Sequence, residues 1–425
     1  MNEPTQTPST APESPNPNPP AIPSPLSGTV EKLIFGGAGL IRHETKTVMV
    51  GGVAPGEKIT FRLKRDHKQW AEGELLSVDE PSAERTDPFC PVFDRCGGCQ
   101  YQHLNDAFQR QQKVAILLET LERVGGIRTE LPVEILHGEP RGYRNRIQVH
   151  LDGARIGFRL QASKRLVPIE ECPIASPALN NALRALRQMT REQRFPRFVE
   201  SIELFSNERE TLLNVLETKG GQRRVAKWFI DWCAERIPGA GQSALVYRAA
   251  GLDFQVGHRS FFQTNRFLID PLVERVLRRS RGEKALDLYS GVGLFAIPLA
   301  KKGISTTAVE SSASAVRDLE VNAANHGVKV EAVKASVDAF LAAAADTPDL
   351  VLADPPRAGL GKSVVADLLR LRPRQLCIVS CDPATLARDL AGLLAGGYHL
   401  HALTIVDLFP NTAHIETVCE LELPS

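Results

Sequence analysis

Cysteine is scarce and unevenly spread, with eight in 425 residues, which excludes a disulfide framework. In a reducing compartment, any cysteines that cluster point to metal ligation or thiolate chemistry. No stretch comes near the roughly 18 to 20 uninterrupted apolar residues that a bilayer-crossing helix needs, and the N-terminus lacks the basic-then-apolar order of a secretory signal. No membrane association is expected, and the location expected is cytoplasmic. A strong net charge is missing as well, since 51 Lys and Arg stand against 50 Asp and Glu. The balance hides a local excess: residues 141–165 hold Arg141, Arg144, Arg146, Arg155, Arg159, Lys164 and Arg165 against one acid, Asp152. A neutral total is compatible with one basic face.

With 43% hydrophobic residues, a chain of this length buries more than one core, and two or three domains are expected. Residues 1–26 form a tail; its first 25 positions contain nine prolines and too little apolar surface to offset the entropy of ordering. Residues 27–80 carry short alternating runs (GTVEKLIFGGAGLIR, KTVMVGGVAPGEKITFRLKR) broken by glycine. They predict a small β-barrel of roughly five strands, with Arg62, Lys64, Arg65 and Lys68 as a nucleic-acid face or a solvated edge. Residues 81–255 are expected to form a central α+β domain. It would contain a cysteine-rich loop at 88–103, the helical stretch DAFQRQQKVAILLETLERVG, antiparallel strands such as RNRIQVHLDG, and helices near 177–188 and 222–236.

Residues 256–425 change character. Strand candidates ALDLYSG, STTAVE, KVEAVKA, DLVLADPP and QLCIVSC alternate with helical segments at 293–302, 311–325, 336–345, 362–371 and 384–395. This succession predicts an α/β, Rossmann-like parallel sheet with helices on both faces, closed by a hairpin near 399–407 and 414–423.

The chemistry-bearing residues gather at the strand ends. In DLYSGVGLF, Asp287 ends the first strand, and Gly291 and Gly293 let the backbone approach a ligand. Glu310 ends the second strand, where a carboxylate can accept hydrogen bonds from both ribose hydroxyls. At this level a nicotinamide cofactor and S-adenosylmethionine both fit, although GVG falls short of the full dinucleotide fingerprint. Asp354, in LADPPRAG, lies at the same carboxyl edge. Cys381 ends the fifth strand beside a helix start, which stabilises a thiolate, whereas Cys377, inside that strand, fits a buried structural role. Glu416 is a candidate base, with His414 as its rival on the same segment. Cys90, Cys96, Cys99 and the distant Cys172 can supply four thiolates to zinc or to an iron–sulfur cluster.

The stretches FFQTN, DLYSGVGLFAIPLA, DPPRAG, SCDPATLARDL and FPNTAHIE, in this order, closely resemble the family of RNA uridine C5-methyltransferases. The resemblance implies S-adenosylmethionine as methyl donor, Cys381 as nucleophile and Glu416 as the residue that removes the C5 proton. It implies Gln263, Tyr289, Glu310 and Asp354 as cofactor-binding residues, with Asp338 a further candidate, and Phe261 beside Gln263 in shaping the pocket. Asp382 departs from the asparagine that usually follows the nucleophile. Residues 27–80 resemble the family's RNA-binding TRAM barrel, and CPVFDRCGGCQYQH with Cys172 resembles its four-cysteine site, implying a 4Fe–4S cluster. Barrel and cluster together resemble the members acting on 23S rRNA more than the shorter tRNA enzymes. The target is then a flipped or single-stranded uridine, gripped in part by Arg144, Arg146, Lys64 and Arg65. No obligate protein partner is expected. An exocyclic-amine N-methyltransferase, which gives Cys381 no task, and a nonenzymatic iron–sulfur RNA-binding protein are the competing readings.

Overall fold

The structure is a computed structural model describing residues 24–221 and 225–424, so the proline-rich tail lies almost wholly outside the described residues. Its largest sheet contains β1 (Lys284–Leu288), β2 (Ser305–Glu310), β3 (Val330–Lys334), β4 (Leu350–Ala353), β5 (Gln375–Ser380), β6 (His399–Val406) and β7 (Glu416–Glu422). The order across the sheet is 3-2-1-4-5-7-6. The first five strands are parallel and β7 runs antiparallel between β5 and β6. β4 and β5 are buried along their whole length, as continuous apolar runs are when helices cover both faces of a parallel sheet. Strand order reverses at β1 and β4, and the crevice beyond the carboxyl ends at such a point is where open α/β sheets take their ligands. Ser312, Ser336 and Asp382 cap the helices that follow β2, β3 and β5 by accepting hydrogen bonds from first-turn amides. These caps keep the turns short and the strand tips fixed.

An eighth strand, Val133–Leu136, lies parallel beside β6. It follows the helix Asp106–Gly125, whose Ile116, Leu117 and Leu121 share a core with Leu386, Leu390 and Leu393 of the helix Pro383–Ala395. Lys113 of that first helix is buried and donates to Asp407 Oδ1 at 2.7 Å. The helical spacing is as expected. The core this stretch faces, however, is that of the large sheet rather than of a central unit spanning 81–255.

The central sheet orders Leu166–Pro168, Arg155–Arg159, Arg146–Asp152, Val199–Ser206 and Thr211–Thr218, all antiparallel. The helices Pro177–Met189 and Lys227–Ala234 contribute Leu183, Leu186, Phe229 and Trp232 to a core with Ile147, Val149, Ile202 and Leu204. The hairpin Ala244–Ala249 and Leu252–Gly257 instead shares a core with the helix Ile269–Leu277. Its second strand is tied to the helix Ala313–Asn325: the Gln255 amide donates to Asn322 Oδ1 at 2.6 Å, and the Gly257 amide to Asp318 Oδ2 at 2.8 Å. A division at 255/256 cuts through this strand.

At the N-terminal end, six strands between Leu26 and Glu80 form a mainly antiparallel sheet around Val30, Ile41, Val48, Val50, Ile59 and Phe61. There are six rather than roughly five because Lys32–Leu33 pairs as a separate short strand with Gly39 and Leu40. Among the described residues no helix is long and apolar enough to cross a membrane.

Candidate active site

Beyond β1 the chain turns sharply, with Tyr289 in the left-handed region at φ 61° and Gly293 at φ 91°. A Cβ on Gly293 would stand 3.0 Å from Ile297 and 3.2 Å from Leu319, so the loop can seat on its helix only without a side chain there. The Gly291 amide donates to Glu310 Oε2 at 3.1 Å and the Ser312 amide to Glu310 Oε1 at 2.7 Å. The tip of β2 therefore holds its carboxylate in a fixed direction while lone pairs remain for a ligand. Asp287 is buried and neither of its carboxylate oxygens has a hydrogen-bond partner of ordinary geometry. Burial, with the charges of Asp354 and Glu310 adding, pushes it up to about 8, although the Ala296 amide opposes this. Burial likewise pushes the Tyr289 phenol up to about 12.

Asp354 follows β4 and accepts a hydrogen bond from Gln263 Nε2 at 3.1 Å. Gln263 is itself anchored, since its carbonyl accepts from Asn145 Nδ2 at 3.0 Å. Cys381, Glu416 and Asp354 form one electrostatic group. Burial first, then Glu416 and Asp354, pushes the Cys381 thiol up to about 11, and Arg357 pulls against them. Burial and Asp354 raise the Glu416 carboxyl well above the usual carboxylate range, again opposed by Arg357. His414 does not figure among the groups acting on Cys381. It stands edge-on to Phe409 with ring centroids 5.4 Å apart, and burial first, then Arg357, Arg144 and Lys113, push it down to about 4. Of the two rivals on this segment, the one that acts on the thiol is thus Glu416. Asp382 caps the next helix, with Oδ1 accepting from the amides of Ala384 at 2.9 Å and Thr385 at 3.0 Å. An asparagine oxygen would cap in the same way, so the departure adds charge at a helix N-terminus without moving the thiol.

The remaining expected residues divide. Asp338 sits in the first turn of the helix Val337–Ala343, holds the Ser363 hydroxyl and acts electrostatically on Tyr289. Phe261 is 61% exposed while Phe262 is buried. Arg357, absent from the candidates drawn from sequence, follows Asp354 by three residues within the same DPPRAG run. The signal was a cation on the Asp354 loop.

Cys90, Cys96, Cys99 and Cys172 line one cavity of about 400 Å³, with Arg144, Phe158 and Ile174 also in its wall. Among the described residues no group of three or more His, Cys, Asp or Glu is drawn together as a single-ion site. Burial pushes the Cys99 thiol up to about 12, with the other three cysteines adding. A larger open groove of about 1530 Å³ runs along the central sheet, and Arg155, Arg159, Lys164, Arg165, Lys219 and Arg259 stand in its wall. Arg146 does not serve as a free basic residue: its guanidinium donates twice to Ser260 O at 3.1 Å and lies 4.2 Å from the Phe205 ring centroid. On the N-terminal sheet, Arg62 and Arg65 pair with Glu74 and Glu72. Those basic positions are therefore partly neutralised.

Comparison with known proteins bears on this geometry. The family model described as tRNA (Uracil-5-)-methyltransferase matches residues 242–423, beginning just before the 244–257 hairpin. The 23S rRNA (uracil(1939)-C(5))-methyltransferase RlmD of Aeromonas hydrophila is 32% identical over 94% of this chain and 97% of its own length. An uncharacterized RNA methyltransferase of Aquifex aeolicus is 33% identical over 94% and 99%. The crystal structure of Pyrococcus abyssi tRNA (uracil-54, C5)-methyltransferase in complex with S-adenosyl-L-homocysteine superposes with a TM-score of 0.75 at 27% identity, covering 93% of this chain and all of that one.

Proposed function

The chain belongs to the family of RNA uracil-C5 methyltransferases, and from that premise we propose that it methylates C5 of a uridine in 23S rRNA, with Cys381 as nucleophile and Glu416 as base. The observation that carries the assignment of roles is that Glu416 and Asp354 both act on the Cys381 thiol, and Asp354 on Glu416, at the carboxyl edge of the sheet. A uracil ring is too weak a nucleophile at C5 to take a methyl group unaided. Addition of the Cys381 thiolate to C6 makes C5 an enolate carbon, which divides one hard step into two easier ones. S-adenosylmethionine, when bound, supplies the methyl group as a sulfonium electrophile. Glu416 then takes the C5 proton, the C5–C6 double bond reforms, and the C6–S bond breaks to release the thiolate. Gln263, Tyr289, Glu310, Asp354 and Asp338 are proposed to hold the cofactor, and Asp287 lies buried among them. Arg357 offsets the negative charge around the thiol.

Both the nucleophile and the base work deprotonated, and both are shifted upward. Turnover is therefore expected to climb with pH between about 6 and 9 without an acid-side optimum. Single-turnover rates measured across that range check the sign; a rate that falls as pH rises contradicts it.

Cys90, Cys96, Cys99 and Cys172 would hold the 4Fe–4S cluster. Their meeting in one cavity supports this, as does a donor set of four thiols whose protons a bound metal displaces. These four cysteines would tie the cysteine loop to the segment that follows the edge strand Leu166–Pro168 when the cluster is bound; no redox step is required of it. Residues 27–80 are proposed to be the TRAM-type RNA-binding barrel and the location to be cytoplasmic. The RNA is proposed to present a flipped or single-stranded uridine, because a stacked base hides C5 and C6.

The central groove is proposed to hold the RNA flank. Lys164 and Arg165 stand in its wall and belong to no ion pair among the described residues. Replacing both with glutamate should weaken RNA binding and lower the log–log salt slope by about 1 to 2. Methyl transfer at saturating RNA should stay unchanged; filter binding across a salt series reads the slope.

Labelled S-adenosylmethionine offered separately with unmodified 23S rRNA and tRNA tests the substrate. Methyl on C5 of a 23S uridine is expected, located by nuclease digestion and mass spectrometry. The second reading, tRNA, is favoured by the solved relative's tRNA substrate and near-complete coverage of both chains. Label on tRNA alone would replace the rRNA reading with it.

A further inference from the structure

The turn that carries the chain from β6 to Glu416 is held from outside the sheet it joins. Asn411, at its centre, is buried and left-handed at φ 66°, a conformation that persists in a non-glycine residue only where the surroundings over-determine it. The surroundings here are the cysteine loop and the helix after it. The amides of Gln100 and Tyr101 both donate to Asn411 O at 3.0 Å. Gln100 Oε1 accepts from the Ala413 amide at 3.2 Å, while its Nε2 donates to Gly97 O at 3.0 Å. Gln109 Oε1 accepts from the Asn411 amide at 2.9 Å, and the Tyr143 hydroxyl donates to Pro410 O at 3.1 Å. Gln100 is the residue after Cys99, and its side chain spans from Gly97, inside the cysteine run, to a turn 313 positions away. The N-terminal sheet presses on the same point: a Cβ on Gly37, at φ 94°, would come within 2.9 Å of Gln100 Cβ and 3.1 Å of Ala413 Cβ.

Building on the assignment of Glu416 as base, we propose that Gln100 is a positioning residue for proton abstraction: through it the cysteine loop sets where Glu416, the first residue of β7, stands against C5 of the methylated adduct. Cys381 and the strand tips proposed to hold the cofactor lie on elements that Gln100 does not bond. Loosening the turn therefore leaves two steps intact, S–C6 bond formation and methyl transfer to C5. It slows the third, in which Glu416 takes the C5 proton, the double bond reforms and the C6–S bond breaks.

The test uses the metal-loaded full chain, a 23S rRNA transcript and S-adenosylmethionine, comparing wild type with Gln100→Leu and Gly37→Ala. Gln100→Leu removes both side-chain bonds, whereas Gly37→Ala crowds Gln100 and Ala413 together and removes none. Both variants should complete the first methyl transfer within about 3-fold of wild type and then release product at least about 10-fold more slowly, a fraction of what full loss of a general base costs. A denaturation-resistant protein–RNA adduct carrying the labelled methyl should accumulate. Iron content and S-adenosylmethionine affinity should match wild type, while a modest fall in melting temperature accompanies the left-handed φ at Gly37 and the lost Gln100 bonds. Turnover at the wild-type rate with no adduct overturns the proposal, as does a parallel fall in transfer and release. If the wild type itself places no methyl on a uridine C5, the underlying assignment of Glu416 fails, and that failure is distinguishable because it shows before any variant is examined.

Discussion

Cys381→Ala is expected to lower methyl transfer by at least about 10³-fold while leaving S-adenosylmethionine and RNA affinities near wild type, the pattern of a residue used only on the way to the transition state. The three C-terminal cysteines are separated by where the sheet puts them. Cys377 is buried within β5 and Cys419 within β7, and burial pushes both thiols far up. Cys381 lies one residue past the end of β5 and is partly exposed. Replacing Cys377 should therefore affect melting temperature more than rate. An exocyclic-amine methyltransferase would be indifferent to Cys381→Ala, so a variant with full turnover would require a different chemistry.

Glu416→Gln is expected to arrest the enzyme after methyl transfer. The amide keeps the shape and removes the base, so release should slow by about 10² to 10⁴-fold. It also removes a negative charge that holds the Cys381 thiol up, so formation of the C6–S bond should be no slower than in wild type. The product to look for is a denaturation-resistant protein–RNA complex labelled from the methyl group. The same variant with no adduct and no transfer would give Glu416 an earlier role, in activating the thiol. His414, pushed down by burial and edge-on to Phe409, should tolerate replacement by Gln with far smaller loss of rate.

The large sheet was legible because its residues carry two messages at once. Runs such as LVLA and the LCIV within QLCIVS are apolar, which marks strands covered on both faces. An ionisable residue stands at or just past the end of each such strand: Glu310, Asp354 and Cys381 all emerge at the predicted edge. What was not legible depends on distant partners. The helix Asp106–Gly125 shows an apolar stripe, but nothing in the stripe states that it faces the helix Pro383–Ala395 or that Lys113 meets Asp407. Arg146 reads as a basic residue on a strand, and only folding shows its charge spent on Ser260 O and the Phe205 ring. Neither Gln100 nor Asn411 has a local signature. FPNTAH reads as a turn, while the left-handed φ of Asn411 and its hydrogen bonds to the cysteine loop exist only once the two segments meet. The groove lies between these cases, for the basic run at 141–165 was visible and its shape was not.

The most direct measurement is made with 23S rRNA transcribed with 5-fluorouridine and incubated with labelled S-adenosylmethionine. Fluorine at C5 cannot leave as a proton, so the last step is blocked and the thioether persists after methyl transfer. Mass spectrometry of the digested complex is predicted to find one methylated 5-fluorouridine joined through C6 to the peptide containing Cys381. A methylated RNA with no attached protein, or an adduct on any other residue, would contradict the assignment of Cys381 as the nucleophile.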